Sequence, residues 1–136
     1  MRDKKLIILW VLIIVLSLGH DIDHMVRGDM RLRLSGESLP ILIILSIKYA
    51  ILGLGLFFYL NNKLGPGVLA ILAGSGAVLG WLAHFSPFSD QTPQFIYRAY
   101  ESPAAGALAV ALLSGLMFAL IITTVYAQYL WARWVK

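Results

Sequence analysis

The chain has 136 residues, of which 60% are hydrophobic and only 13% are charged. Soluble domains contain about 45–50% apolar and about 25% charged residues, so composition argues against a water-soluble fold. The chain has no cysteine, which excludes disulfides, thiolate metal ligands and cysteine nucleophiles. The net charge of +4 comes from basic residues at the ends of apolar segments. That is a membrane pattern, and we expect no nucleic-acid partner.

Four apolar segments are each long enough to cross about 30 Å of hydrocarbon as a helix, which takes about 20 residues. Backbone polar groups in lipid must be bonded within their own segment, so helices are favoured. The sequence therefore predicts an all-α integral membrane protein with four transmembrane helices in one compact bundle. The single domain covers residues 1–136, with helices at about 5–27, 40–61, 66–85 and 103–131.

Residues at the segment ends support these limits. Gly28 follows the first segment as a stop signal, and Pro40 suits the first turn of the second. Ser102 is a suitable N-cap for the fourth segment, with Pro103 at its first helical position.

The distribution of Lys and Arg predicts that both termini are cytoplasmic. In that orientation the inner side holds Arg2, Lys4, Lys5, Lys63, Arg133 and Lys136, and the outer side holds Arg27, Arg31, Arg33 and Arg98. Aromatic residues predict an inner belt of Tyr126, Tyr129, Trp131 and Trp134 and an outer anchor at Trp81. We expect a multi-pass protein of the cell (inner) membrane, with the lipid bilayer as its surroundings.

Small residues recur at four-residue spacing in the last two segments. The rows are Ala70–Gly74, Ala73–Ala77 and Gly76–Gly80 in the third segment, and Ala107–Ala111–Gly115 in the fourth. Such rows let helix backbones approach closely in lipid. We expect these two helices to pack tightly, with the first helix adding polar residues to the same bundle.

The first apolar segment ends in the polar stretch LSLGHDIDHMVRGDM, residues 16–30. At about 100° per residue, one arc of about 120° holds most of the polar residues. These are Ser17, His20, Asp23, His24 and Arg27, while Asp21 lies slightly off the arc. This segregation predicts that the helix continues to Arg27 and turns a polar face toward the bundle interior.

The histidines predict a metal site. His20 and His24, at i and i+4, can point two imidazoles at one ion, and Asp23 is a candidate third ligand or a partner that orients a histidine. His84 lies near the end of the third segment and reaches the same side of the membrane. A His-rich, Cys-free set with carboxylates suits zinc, copper or iron rather than calcium or magnesium.

Three other interpretations of the same residues stay open: haem, a metal-free polar network, and polar residues that are simply solvated at the membrane interface. Haem with axial histidines from two helices is a less favoured form of the metal hypothesis. In a metal-free polar network, the three histidines would instead bond to aspartates and to loop backbone and stabilise the mouth of the bundle.

Further polar residues are candidates for a supporting network around the histidines: Asp21, Arg27, Lys48, Asp90 and Glu101. Lys48 lies within the second segment, where an unpaired charge is costly, and it can reach Asp21 or Asp23. The long connection at residues 86–102 is a candidate lid over the polar mouth, to which Asp90 or Glu101 would add an oxygen. It could equally be an interfacial segment or a docking surface.

These features favour a small integral-membrane accessory subunit or binding module. It would belong to a larger membrane complex and hold a His/Asp site near the extracytoplasmic side, with other membrane subunits or copies of itself as partners. The alternatives are an integral-membrane metal-dependent enzyme, or a proton or metal transport component that works as an oligomer. No nucleophile motif identifies a catalytic residue.

Overall fold

The computed structural model describes residues 2–29 and 39–134. Residues Arg31, Arg33, Glu37 and Lys136, and the side chain of Trp134, lie outside the described part. The membrane sides predicted for the three basic residues and the belt position predicted for Trp134 therefore fall outside it as well. The elements are α1 (Lys4–Arg27), α2 (Leu39–Leu60), α3 (Pro66–His84), α4 (Pro93–Arg98) and α5 (Pro103–Trp134). The four long helices are apolar and long enough to cross a membrane. The predicted all-α bundle is confirmed, and each limit of the four long helices lies within three residues of its predicted position.

Local capping sets several helix limits. At the start of α1, the Asp3 carboxylate accepts a hydrogen bond from the Leu6 amide at 2.9 Å. At its end, Gly28 has a left-handed conformation with φ 81°, which glycine adopts without steric cost. The Ser102 hydroxyl lies 3.5 Å from the Ala105 amide at the start of α5. The predicted stop at Gly28 and cap at Ser102 are therefore confirmed.

The connection at residues 86–102 contains a helix that the sequence analysis treated as loop. The Thr92 hydroxyl caps α4 by accepting from the Phe95 amide at 3.3 Å, and Pro93 opens the helix. Six residues cannot form a stable helix alone, so packing of the fully buried Ile96 holds α4 against the bundle. The Thr-Pro signal was present, but so short a helix shows no detectable periodicity.

Helices α3 and α5 pack closely, as predicted. A Cβ added to Gly76 would lie 3.1 Å from Leu120 Cδ2, and one added to Gly74 would lie 3.4 Å from Thr124 Cγ2. Gly80 similarly faces the Met117 sulfur. Larger side chains of α5 therefore sit over glycines of α3, which brings the two backbones together.

The small-residue row predicted on the fourth segment does not make this contact. Ala107 and Ala111 are exposed, and Gly115 faces Leu16 of α1 instead of α3. The expectation of small residues on both sides was wrong because glycine on one helix already leaves room for the larger side chains of the other.

Helix α2 lies at the edge of the bundle. Only 6% of its most apolar stretch is buried, against 39% for α1. One anchor is Trp10 of α1, which is 1% exposed and whose indole N–H donates to the Leu52 carbonyl at 2.9 Å. Near the C-terminal end of α2, a second anchor forms where the Tyr59 hydroxyl accepts from the Asp3 amide at 3.3 Å.

One end of the bundle carries most of the polar side chains. It consists of the last turns of α1 and α3, the first turns of α2 and α5, and α4 with its flanking residues, and we call it the histidine end. The packing of this end depends on Gly106, in the first turn of α5. Gly106 is buried and lies directly against the Tyr97 carbonyl oxygen of α4.

We predict that Gly106→Ala destabilises the protein by about 1–3 kcal/mol, because the added methyl would overlap a backbone oxygen that cannot rotate away. Gly53→Ala in α2 is the matched control, since a Cβ there has nothing within 4 Å. It should be neutral or stabilise by up to about 1 kcal/mol. Thermal unfolding in detergent, followed by circular dichroism, measures both. Equal melting temperatures for the two variants would contradict this packing.

Candidate metal centre

Three histidines converge at the histidine end. His20 and His24 project from one face of α1, one turn apart, and His84 is the last residue of α3. The Nε2 atom of His20 lies 3.2 Å from Nε2 of His24 and 3.2 Å from Nε2 of His84. One ring nitrogen from each residue lies within 4.8 Å of the others. The structure thus joins the histidines that the sequence analysis grouped.

The hydrogen bond at the outer nitrogen of His84 defines its tautomer. His84 Nδ1 lies 2.9 Å from the backbone carbonyl oxygen of Gln91. A carbonyl oxygen can only accept, so Nδ1 carries the proton. In the neutral ring, Nε2 then directs a lone pair toward His20. This is the arrangement by which proteins usually orient a histidine that binds metal.

Protons alone satisfy the cluster poorly. Nε2 of a neutral His20 carries either a proton or a lone pair. His24 Nδ1 faces Arg27 Nη2, which can only donate, so a neutral His24 carries its proton on Nε2. A proton on His20 Nε2 would face that N–H, and a lone pair there faces the lone pair of His84. A cation at the centre would give the Nε2 lone pairs of His20 and His84 a partner, and His24 would join them by moving its proton to Nδ1, which lies 3.4 Å from Asp29 Oδ2.

The nitrogen spacing also suits one small ion. Two nitrogens bound at about 2.0–2.1 Å to a tetrahedral ion lie about 3.3 Å apart, close to the observed separation of 3.2 Å. His20 and His84 are 7% and 6% exposed, so their rings cannot turn freely toward water. The two 3.2 Å separations and the burial make this a group of histidines that could hold a metal ion.

The structure places Asp23 beside the histidine group rather than within it. Asp23 Oδ2 accepts from Arg27 Nε at 3.0 Å, and Oδ1 accepts from the Tyr100 hydroxyl at 2.5 Å. The ion pair expected from the i, i+4 spacing is therefore present. With both oxygens engaged, Asp23 acts on the histidines through Arg27.

Arg27 is the centre of the polar network. Its side chain is only 1% exposed, yet it contacts four other side chains, two of them on α1 itself. Nε donates to Asp23, Nη1 donates to Asp29 and to Gln91 Oε1, and Nη2 lies 3.1 Å from His24 Nδ1. The planar guanidinium can make several directed bonds at once, so it ties α1 to the connection after α3.

Asp21 belongs to a separate cluster that faces α2. It forms an ion pair with Lys48 and accepts from the Tyr49 hydroxyl at 2.7 Å. The sequence analysis left Asp21 and Asp23 open as partners of Lys48, and the structure selects Asp21. Its position outside the polar arc explains this choice, because it points away from the histidines and toward the neighbouring helix.

The carboxylates of Asp90 and Glu101 do not join the histidines. Both residues are exposed, and neither is in the convergent group. The connection nevertheless covers the histidine end, as the lid interpretation required, but through Gln91 and Tyr100. The sequence analysis assigned no role to either residue.

Hydrogen bonds within the connection position Gln91. The Ser86 hydroxyl donates to the Leu82 carbonyl at 2.8 Å, and the Ser89 hydroxyl donates to the Ala83 carbonyl. Ser89 Oγ in turn accepts from the Gln91 amide at 3.0 Å. These bonds fold the chain back over the end of α3, so that the Gln91 carbonyl meets His84.

Comparisons with known proteins give no relative for this chain: no family model, no curated protein and no solved structure matches. The chemistry of the site is therefore the basis for proposing a function.

We predict that Tyr100→Phe destabilises the protein by about 2 kcal/mol, because Asp23 loses a hydrogen bond to a charged acceptor. Tyr97→Phe, at a side chain that is 44% exposed, is the control and should have little effect. Burial and the bond to Asp23 raise the pKa of Tyr100 to about 12. The stabilisation that the Tyr100 hydroxyl gives the folded protein is therefore complete below about pH 10, the ordinary tyrosine pKa, and is lost as the pH rises through the pKa of the folded state. Thermal unfolding at neutral pH compares the variants, and equal losses would contradict the assigned bond.

We also predict an asymmetry within the Asp21–Lys48 pair. Lys48→Met should cost about 3 kcal/mol, because it leaves a buried carboxylate without its cation. Asp21→Asn should cost less, since the Lys48 side chain is 33% exposed and Asp21 only 5%, and a lysine can extend toward the interface. The double variant should recover part of the loss. A double-mutant cycle from unfolding in detergent tests this, and additive losses would mean that the two residues do not interact.

Proposed function

We propose that the protein is an integral-membrane metal-binding module that holds one transition-metal ion at His20, His24 and His84. The observation that carries this proposal is the convergence of three histidines from two helices, with His20 Nε2 3.2 Å from Nε2 of each of the other two and one ring nitrogen from each within 4.8 Å. The charge of the network supports it. Among the described residues, the ion pairs of this end hold three carboxylates and two cationic side chains, which leaves one negative charge: Asp21, Asp23, Asp29, Arg27 and Lys48.

The donor set favours zinc or copper. Three imidazoles and no thiolate suit either ion. Non-haem iron commonly takes two histidines and a carboxylate on one face, but the Asp23 oxygens are engaged by Arg27 and Tyr100. Calcium and magnesium would require oxygen ligands.

The spacing also argues against haem. Axial nitrogens on opposite faces of a porphyrin must be separated by about twice a metal–nitrogen bond, or about 4 Å. His20 and His84 are closer than this, and the His24 ring occupies the same space. A single ion therefore fits the site better than a macrocycle.

We further propose that the module works within a larger membrane assembly, as an accessory subunit or as several copies. Most of the described residues belong to four membrane-spanning helices and their short connections, so the chain provides a site rather than a large domain. The largely uncovered α2 offers a lateral surface for a neighbouring membrane protein. With the termini inside, as the basic residues favour, the metal would lie on the extracytoplasmic side.

A metal-dependent enzyme is the second candidate. Three histidines leave a coordination position open on a four-coordinate ion, which is typical of catalytic rather than structural zinc sites. This observation favours chemistry at the ion over simple storage. It favours transport less, because the histidines lie at one end of the bundle.

We predict that the purified protein, loaded with zinc and desalted, retains about one ion per chain. Each of His20→Ala, His24→Ala and His84→Ala should weaken zinc binding by more than the roughly 10–100-fold that loss of an outer partner costs. Glu101→Gln, at an exposed carboxylate of the same end, is the matched control. Elemental analysis and competition with a chelator provide the measurement. Equal zinc content in the wild type and in a folded variant lacking all three histidines would refute the metal site and favour a metal-free network.

A further inference from the structure

The convergent group offers three ring nitrogens, from His20, His24 and His84, and among the described residues it includes no fourth ligand. His20 Nε2 lies 3.2 Å from Nε2 of each of the other two, and these nitrogens are the ligand face of the proposed site. A four-coordinate ion bound to this face has one further position. The identity of the ligand at that position would determine whether the site is closed or exchanges ligands with its surroundings.

The nearest carboxylates on α1 and just beyond it already have strong partners. The two oxygens of Asp23 accept from Arg27 and Tyr100. Asp29 pairs with Arg27, and its Oδ2 lies 3.4 Å from His24 Nδ1. Asp23 would have to give up a charge-assisted bond with a buried guanidinium in order to reach the ion. Asp29 contacts His24 at Nδ1, the ring nitrogen opposite the one that faces His20.

The remaining oxygens near the histidines are engaged as well. Asp21 follows His20 directly but turns toward α2, where Lys48 and Tyr49 hold Oδ2. The Gln91 backbone oxygen accepts from His84 Nδ1, and its side-chain oxygen accepts from Arg27. The Gln91 carbonyl orients His84 at its outer nitrogen, and the other two oxygens bind Lys48, Tyr49 and Arg27 instead of facing the histidine nitrogens.

Charge then favours an anion at the fourth position. Three neutral imidazoles do not compensate a divalent ion. Within residues 2–29 and 39–134, the ion-paired carboxylates and cationic side chains of this end supply one net negative charge. Binding of the ion would therefore leave one positive charge in a largely buried environment, where electrostatic attraction is much stronger than in water.

We propose that the fourth coordination position is a binding site for a small exogenous anion with a nitrogen or oxygen donor atom. This inference rests on the proposed metal site and extends it, because it makes the ion an exchangeable binding centre instead of a structural one. The histidines hold the ion, the Gln91 carbonyl orients the His84 ring, and the anion binds the ion directly.

The test uses the full chain in detergent loaded with Co²⁺, whose visible absorption reports the coordination of the ion. Azide is the probe, and perchlorate at equal ionic strength is the control for a general salt effect. We expect azide to produce a saturable change in the cobalt bands, with perchlorate at least about tenfold less effective. The variant lacking all three histidines should show neither the cobalt bands nor the azide response.

The outcomes separate this inference from the proposed function. Cobalt bands that azide does not change would overturn the anion site while retaining the metal site. A Glu37→Gln variant that gains an azide response absent from the wild type would assign the fourth position to Glu37, a residue outside the described part, and would also overturn the inference. A wild type that binds no cobalt above the histidine-free variant would overturn both.

Discussion

The buried guanidinium of Arg27 is the interaction on which the histidine end depends. A charge that is 1% exposed must have its donors satisfied, since burying it unpaired would cost several kcal/mol. Its partners lie on α1, just after α1 and on the connection that follows α3. Satisfying one side chain thus brings two distant parts of the chain together and places the Gln91 carbonyl where it can orient His84. The geometry of the three imidazoles follows from that arrangement.

The sequence predicted the membrane fold well because lipid imposes simple rules. Segment length and composition are enough to identify four spanning helices, and Gly28 and Ser102 mark helix limits through local backbone chemistry that needs no tertiary information. The sequence was less informative about which faces meet. The glycines of α3 were correctly assigned to an interface, but their partners on α5 are large side chains such as Leu120 and Met117. A small-residue row identifies where a helix can be approached, not what approaches it.

For the site, helical periodicity was informative within α1 and uninformative beyond it. It placed His20, His24, Asp23 and Arg27 on one face and set Asp21 apart, and the structure has Asp21 facing α2. Helical periodicity gives no information about residues in an irregular connection, so the roles of Gln91 and Tyr100 were missed. Among the residues of the connection, Asp90 and Glu101 were selected because they are charged. The contacts with the histidine end come instead from Gln91, which binds Arg27 and His84, and from Tyr100, which binds Asp23. Those contacts depend on the Ser86 and Ser89 hydrogen bonds, which a spacing rule cannot represent.

The separation of the histidines along the chain has a consequence for biogenesis. His20 and His84 are 64 residues apart, with the whole of α2 between them. A nascent chain that has inserted only α1 presents a pair of imidazoles one turn apart, which is a weak ligand set. The three-nitrogen face forms only after α3 has inserted, packed into the bundle, and been followed by the chain that folds back to Gln91. Capture of an ion with the full set of ligands would therefore be a late event in assembly, and it would distinguish a completed bundle from a partly inserted one.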